Sequence, residues 1–190
     1  MRCENKKQQS VEDVVVESSM KALLHGAKMR SETEGGRPPL LRSPVNRVRN
    51  GRYLSVYIGS ISMAGSSTIH NPFLNIYPVD PRLHPVEAAQ ATPHALIQDK
   101  HHLWWGNTWH MQSSLEHLSE GSFIVFELLR HNFQLDEPQV LCWTFIRVEF
   151  LKLTMGPQAL EMYTVPVNPL SLELCRFPGD AFLSFDIVLS

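Results

Sequence analysis

At 190 residues, with 43% of them hydrophobic, 19% charged and a formal net charge of −2, the chain has the apolar content for a core of its own. The charge balance is too even for a nucleic-acid partner or an acidic tail, and Cys3, Cys142 and Cys175 are too few and too scattered for a disulfide framework or a zinc site. No run approaches the ~20 apolar residues of a membrane span, and the N-terminus MRCENKKQQSVED lacks a signal-like apolar run, so the cysteines read as reduced, packed thiols of a cytoplasmic protein.

Residues 1–51 differ in character from the remainder of the chain. Ser10 to Asp13 resembles a capping box, and Val11, Val14, Val15 and Ala22 fall near one helical face, which predicts a short helix to about Leu24, weak in isolation. From Gly26 to Asn50 the chain is rich in Ser, Gly, Pro and Arg, the composition of a disordered arm or linker. Arg37, Arg42, Arg47, Arg49 and Arg52 occur without an intervening acid. They read as a solvated tether, or as a basic strip drawn to an anionic membrane.

The domain proper is expected over residues 52–190. YLSVYIGSISM alternates as a strand, AGSSTIHNP is a loop, and FLNIYPV is a second strand ended by Pro78. DPRLHPVEAAQATPHALIQDK holds three prolines and predicts a surface connection with about one helical turn. HLWWGNTWHM brings Trp104, Trp105 and Trp109 together in an extended segment. The organising stretch is GSFIVFELLRH, Gly121 to His131, whose two faces are both largely apolar, as in a central strand covered on both sides. QVLCWTFIRVEF is a third strand of that kind. LKLTMGPQALEMYTVPV predicts two weaker strands about a Gly-Pro turn, and AFLSFDIVLS sets Leu183, Phe185, Ile187 and Leu189 against Ser184, Asp186 and Ser190, a half-buried strand. About eight strands with thirteen prolines and ten glycines between them predict an all-β antiparallel β-sandwich.

HNPFLNIYPVD, after an apolar strand and a polar loop, resembles the start of a C2 domain, with Ser-Asp-Pro-Tyr and an alternating strand as the family's usual wording. NTWHMQSSLEHLSEGSFIVFELL resembles its next landmark, an Asn-x-Trp segment followed by a turn and a strongly hydrophobic strand. The resemblance covers about Tyr53 to Val148 and implies a C2-like sandwich. Calcium-binding C2 domains hold the ion with loop aspartates, because Ca²⁺ takes 6 to 8 oxygen ligands. Here Asn71 and Gly65 stand at first-loop positions, Leu128 to His131 where the third loop is expected, and only Asp136 and Glu137 lie nearby. Ligand-poor versions of this kind resemble those of ciliary basal-body and transition-zone scaffolds of the nephrocystin and jouberin type. The resemblance implies a calcium-independent adaptor, in the cytoplasm and at the cilium, that binds other proteins through sheet edges and loops.

Other chemistry finds little support. His101, His102, His110 and His117 are the densest histidines, yet their spacing matches no metal-ligand pattern, and no cofactor is expected. There is neither a Gly-x-Ser-x-Gly elbow nor a phosphate-binding glycine loop, so the chain is not read as an enzyme. Trp109 reads as core. Trp104 and Trp105, being adjacent on a strand, must face opposite ways, and the outward one is a candidate partner anchor. The alternative role is a phosphoinositide-binding peripheral module that uses Arg37 to Arg52 together with Lys100.

Overall fold

The computed structural model describes residues 39–45, 47–49, 51–151 and 156–189. The helix expected up to Leu24, Cys3 and Arg37 lie outside them.

Among the described residues nine strands form two antiparallel sheets: β1 (Leu54–Ser62), β2 (Phe73–Val79), β3 (Gln90–Ala91), β4 (Ile97–Gln98), β5 (His102–His110), β6 (Phe123–Asn132), β7 (Glu137–Arg147), β8 (Gly156–Glu161) and β9 (Phe182–Leu189). The first sheet has five strands in the order β4-β5-β1-β9-β8, and the second has four in the order β3-β2-β6-β7. This is the C2-like β-sandwich that the alternation patterns and motifs implied. Its core lies between the sheets. Leu54, Val56, Ile58, Leu103, Trp105, Trp109, Leu183 and Ile187 come from the first; Leu74, Ile76, Ile124, Phe126, Leu128 and Cys142 from the second. Phe126 meets Phe185 across the layer with ring centroids 6.0 Å apart.

Strand β6 is apolar on both sides because two layers cover it. Ile124, Phe126 and Leu128 face the core, while Phe123 and Val125 join Tyr77, Val79 and Trp143 in a second cluster on the outer face, against Tyr163, Val167 and Leu174. The chain after β8 is tied to β7 by hydrogen bonds in both directions, Trp143 N to Tyr163 O at 3.0 Å and Tyr163 N to Trp143 O at 2.7 Å. The Trp143 indole adds a bond of 2.7 Å to the Thr164 carbonyl. Glu127, on the same outer face, is buried because the Tyr77 hydroxyl donates to it at 2.7 Å.

Several local expectations are corrected. Pro78 does not end β2; it pairs opposite Ile124, and its carbonyl accepts from Val86 N–H at 3.0 Å. The missing proline N–H therefore points away from β6, where no ladder bond is lost. Residues 81–100 contain no helical turn. The Asp80 side chain instead accepts from Arg82 N–H and His84 N–H, at 2.8 Å each, and folds the Pro81 turn back on itself. The chain then contributes two-residue strands to both sheets, β3 pairing with β2 and β4 with β5. Gly156 and Pro157 open β8 and do not form a turn between two strands, and one helical turn, α1 (Val148–Leu151), follows β7. Leu128 to His131 continue β6, whose hairpin turn lies at 133–136. Cys142 is packed as expected, but Cys175 is exposed in the segment after β8, outside any strand.

Candidate functional site

The outer face of the first sheet is paved mostly with small polar residues, among them Ser55, Ser60, Thr108 and Ser184; large apolar side chains interrupt it singly at Val188 and Phe182 on β9 and as a group around Trp104. Trp104 is 46% exposed, and Ile97, its directly opposed partner on edge strand β4, is 62% exposed. Next along the same face of β5 is Gly106 at φ +70, where an added Cβ would lie 3.6 Å from the Tyr57 hydroxyl. The Tyr57 phenol therefore reaches over the glycine towards Trp104, and Ile97, Trp104, Gly106 and Tyr57 form one continuous patch. A positive φ inside a strand belongs to a bulge, and the β1–β5 register does shift between Ile58 and Ser60.

Trp105 is corrected as a partner-binding residue. Its ring is fully buried, and its indole N–H donates to the Pro93 carbonyl at 3.1 Å. It shares the inward face of β5 with Leu103 and Trp109, as strand parity requires.

The basic residues do not form a single surface. Arg42, Arg47, Arg49 and Arg52 lie at or before the start of β1, all exposed. Lys100 sits past the other end of that strand, where its carbonyl accepts from Gly65 N–H at 3.1 Å. Nine residues of β1 separate the two ends, a span of ~26 Å at the usual strand rise. Arg52 is also committed: its Nε lies 3.0 Å from Glu116 Oε1, and its side-chain hydrogen bond pulls the Glu116 carboxyl down to about 2. Arg47 is held over the Tyr53 ring, 5.2 Å from its centroid. Upstream, Leu40 packs on the core, Leu41 N–H donates to Gln90 at 2.9 Å, and the Arg42 carbonyl accepts from Gln112 at 3.1 Å.

At the loop end, carboxylates are scattered and already engaged. Asp99 accepts from His101 and His102 N–H at 2.7 and 2.8 Å, and these bonds lower its pKa. Asp136, in the hairpin turn with φ 52, sits 3.3 Å from His131 Nε2. Among the described residues no group of three or more His, Cys, Asp or Glu is placed to hold a metal ion. His101, His102, His110 and His117 are dispersed too, with His110 bonded to Ser55 and His117 to Ser114, at 2.8 Å each. The sequence reading missed the turn's apolar tip, Phe133 at 65% and Leu135 at 63% exposure. Its signal was two large apolar residues inside a polar hairpin turn.

Between β7 and β8 the sandwich opens into a pocket of about 370 Å³, lined mainly by Phe145, Phe150, Leu160, Phe185 and Ile187. Among the described residues Arg147 is the one titratable side chain lining it, and no acid–base pair of described residues converges there.

A family model described as Axin interactor dorsalisation-associated protein, C-terminal, matches residues 41–186. No curated protein sequence matches the chain. Among solved structures, a C2 domain of a plant extended synaptotagmin 1 is similar, with a TM-score of 0.49 and 12% sequence identity over 76% of this chain and 97% of that one. The family match lends no support to the resemblance to nephrocystin and jouberin scaffolds. Over residues 41–186 the chain belongs to the family described as Axin interactor dorsalisation-associated protein, C-terminal.

Proposed function

We propose that this chain is a non-catalytic, calcium-independent adaptor module that binds a protein partner through the outer face of its first sheet. The observation that carries this reading is Trp104, close to half exposed beside Ile97 and Tyr57 on a rigid strand. Tryptophan and tyrosine on a fixed backbone give large contact area at low cost in conformational entropy, which is why they dominate binding hot spots. The family's name describes an axin interactor, and axin is the partner assigned under this proposal. A cytoplasmic address belongs to the same reading.

Purified axin titrated against the full chain tests it. Trp104→Ala is expected to weaken binding by ~30-fold, the effect of a hot spot worth ~2 kcal/mol, with Ile97→Asp close behind. Equal affinity of wild type and Trp104→Ala would remove the site, and no binding at tens of micromolar would remove the partner.

A second reading, a peripheral module on anionic membranes, is supported by the exposed Arg42 and Arg49 beside Arg47. Each basic side chain near such a surface contributes ~1 kcal/mol, which salt screens. Sedimentation with phosphatidylserine or phosphoinositide vesicles at two salt concentrations distinguishes it: absence of binding at low salt excludes this reading and leaves the adaptor standing.

A further inference from the structure

The chain before β1 holds an arrangement that a solvated tether does not require. Tyr53 is 3% exposed, and its hydroxyl accepts from Val48 N–H at 2.8 Å, so the ring is fixed in the body of the domain. The Arg47 guanidinium lies over that ring, 5.2 Å from its centroid. From there its Nη2 donates to Ser43 Oγ at 2.7 Å. A buried ring thus positions a cation, and the cation is aimed at one hydroxyl. His110 is near enough that burial first, and the Arg47 charge second, hold it below its ordinary pKa. Arg42 and Arg49 flank the pair in sequence, and no acidic residue occurs from Arg37 to Arg52. Ser43 is followed by Pro44, which restricts the serine backbone to extended geometry.

We propose that Ser43 is a phosphorylation site for a proline-directed serine/threonine kinase, with Arg47 as the prepositioned clamp of the phosphoserine. In the transfer, Ser43 Oγ attacks the γ-phosphorus of ATP. The new Oγ–P bond replaces the bond from that phosphorus to the β,γ-bridging oxygen, ADP leaves, and the hydroxyl proton passes to the kinase's catalytic base. The hydroxyl that accepted one bond becomes an ester carrying three strong acceptor oxygens and a charge of ~1.5 to 2 negative. Arginine is suited to that change because its planar fork bonds two phosphate oxygens at once and stays charged at every physiological pH. The local charge changes sharply: a phosphate of ~1.5 to 2 negative offsets more than half of the three positive charges of Arg42, Arg47 and Arg49. Kinase access needs the release of Arg47 and the opening of the bonds that hold Leu41 to Gln90 and Arg42 to Gln112, while Tyr53 stays in place to receive the arginine again.

Two measurements on the full chain test the proposal. Incubation with ATP and a proline-directed kinase, followed by peptide mapping, is expected to label Ser43 and to lose that label in Ser43→Ala. With phosphoserine installed at position 43 during translation, a phosphorus NMR titration is expected to place the second phosphate pKa at least ~0.5 below the ~6 of free phosphoserine. That shift is expected to vanish in Arg47→Ala and in Arg47→Gln, which keeps the stem as far as Cδ and a polar, uncharged end, and guards against a folding defect. Failure to label Ser43 in the folded chain overturns the modification site. A phosphate pKa equal in wild type and both Arg47 variants overturns the clamp.

Discussion

Replacing each of two adjacent tryptophans in turn tests the architecture and the site together. A tryptophan side chain buries ~150–250 Å², and at ~25 cal/mol per Å² the full burial of Trp105 is worth ~5 kcal/mol as an upper bound. Trp105→Ala also strips the Pro93 carbonyl of its indole donor and leaves a closed cavity between the sheets, so the expected cost is ~3–5 kcal/mol. Trp104 is 46% exposed, and its removal opens no cavity, because the space is continuous with solvent; ~1–2 kcal/mol is expected. For a domain of this size, 1 kcal/mol moves the melting temperature by ~2–4 °C. At ~3 °C per kcal/mol, circular-dichroism melts should therefore fall by ~9–15 °C for Trp105→Ala and by ~3–6 °C for Trp104→Ala. Acrylamide should quench wild-type fluorescence in part, and Trp104→Phe should remove the most accessible fraction. Melting curves that coincide for the two alanine variants would refute the register of β5.

In acid, Glu116 should be the sensitive carboxylate at the start of β1. Its pKa lies at about 2 against an ordinary 4.5, so its contribution to stability is complete above pH 4.5 and is lost as pH falls towards 2; Arg52→Ala should flatten that part of the melting-temperature profile and raise the Glu116 pKa towards its ordinary value by NMR, the backbone N–H bonds to the carboxylate remaining. An unchanged acid slope would show that the Arg52 pair does not hold in solution. Burial pushes the Cys142 thiol up to about 12, so a maleimide at pH 8 should modify exposed Cys175 in the native protein and reach Cys142 only after unfolding; native-state labelling of Cys142 would contradict its place in the core. Calcium should leave stability unchanged, because Asp99, Asp136 and Glu137 converge on no common point. A site of micromolar affinity would add ~4 kcal/mol at 1 mM calcium, so a reproducible rise of five degrees or more over a chelator control would overturn calcium independence.

The strands legible in the sequence are those whose pattern is fixed by what lies above and below them. β9 alternates because one face meets the core and the other meets water, and β6 is apolar on both faces from Phe123 to Phe126 because the core lies on one side and Tyr163 to Leu174 on the other. β3 and β4 had no such pattern. Each is two residues long and exists only because a neighbouring strand offers it hydrogen bonds, a tertiary fact without a local signature. The third loop was misplaced for a related reason. Leu128 to His131 look like a loop only when aligned with calcium-binding relatives, whereas their own apolar run carries the strand on to Asn132.

The outward tryptophan was nearer to hand than the sequence reading took it to be. Trp109 read as core, Trp105 is four residues before it on the same strand face, and Trp104 is then left to the solvent. The basic strip failed as a unit because sequence distance carries no information about strand direction: β1 takes the chain from the arginines to the far end of the sheet, where Lys100 lies. A sandwich must bury both inner faces, and here the outer face of the second sheet is largely covered as well, by the chain after β8. The outer face of the first sheet is what remains. Its small polar side chains bring little affinity of their own, and Val188 stands alone among them, so the proposed docking site is placed where Tyr57, Trp104 and Ile97 rise together from that surface.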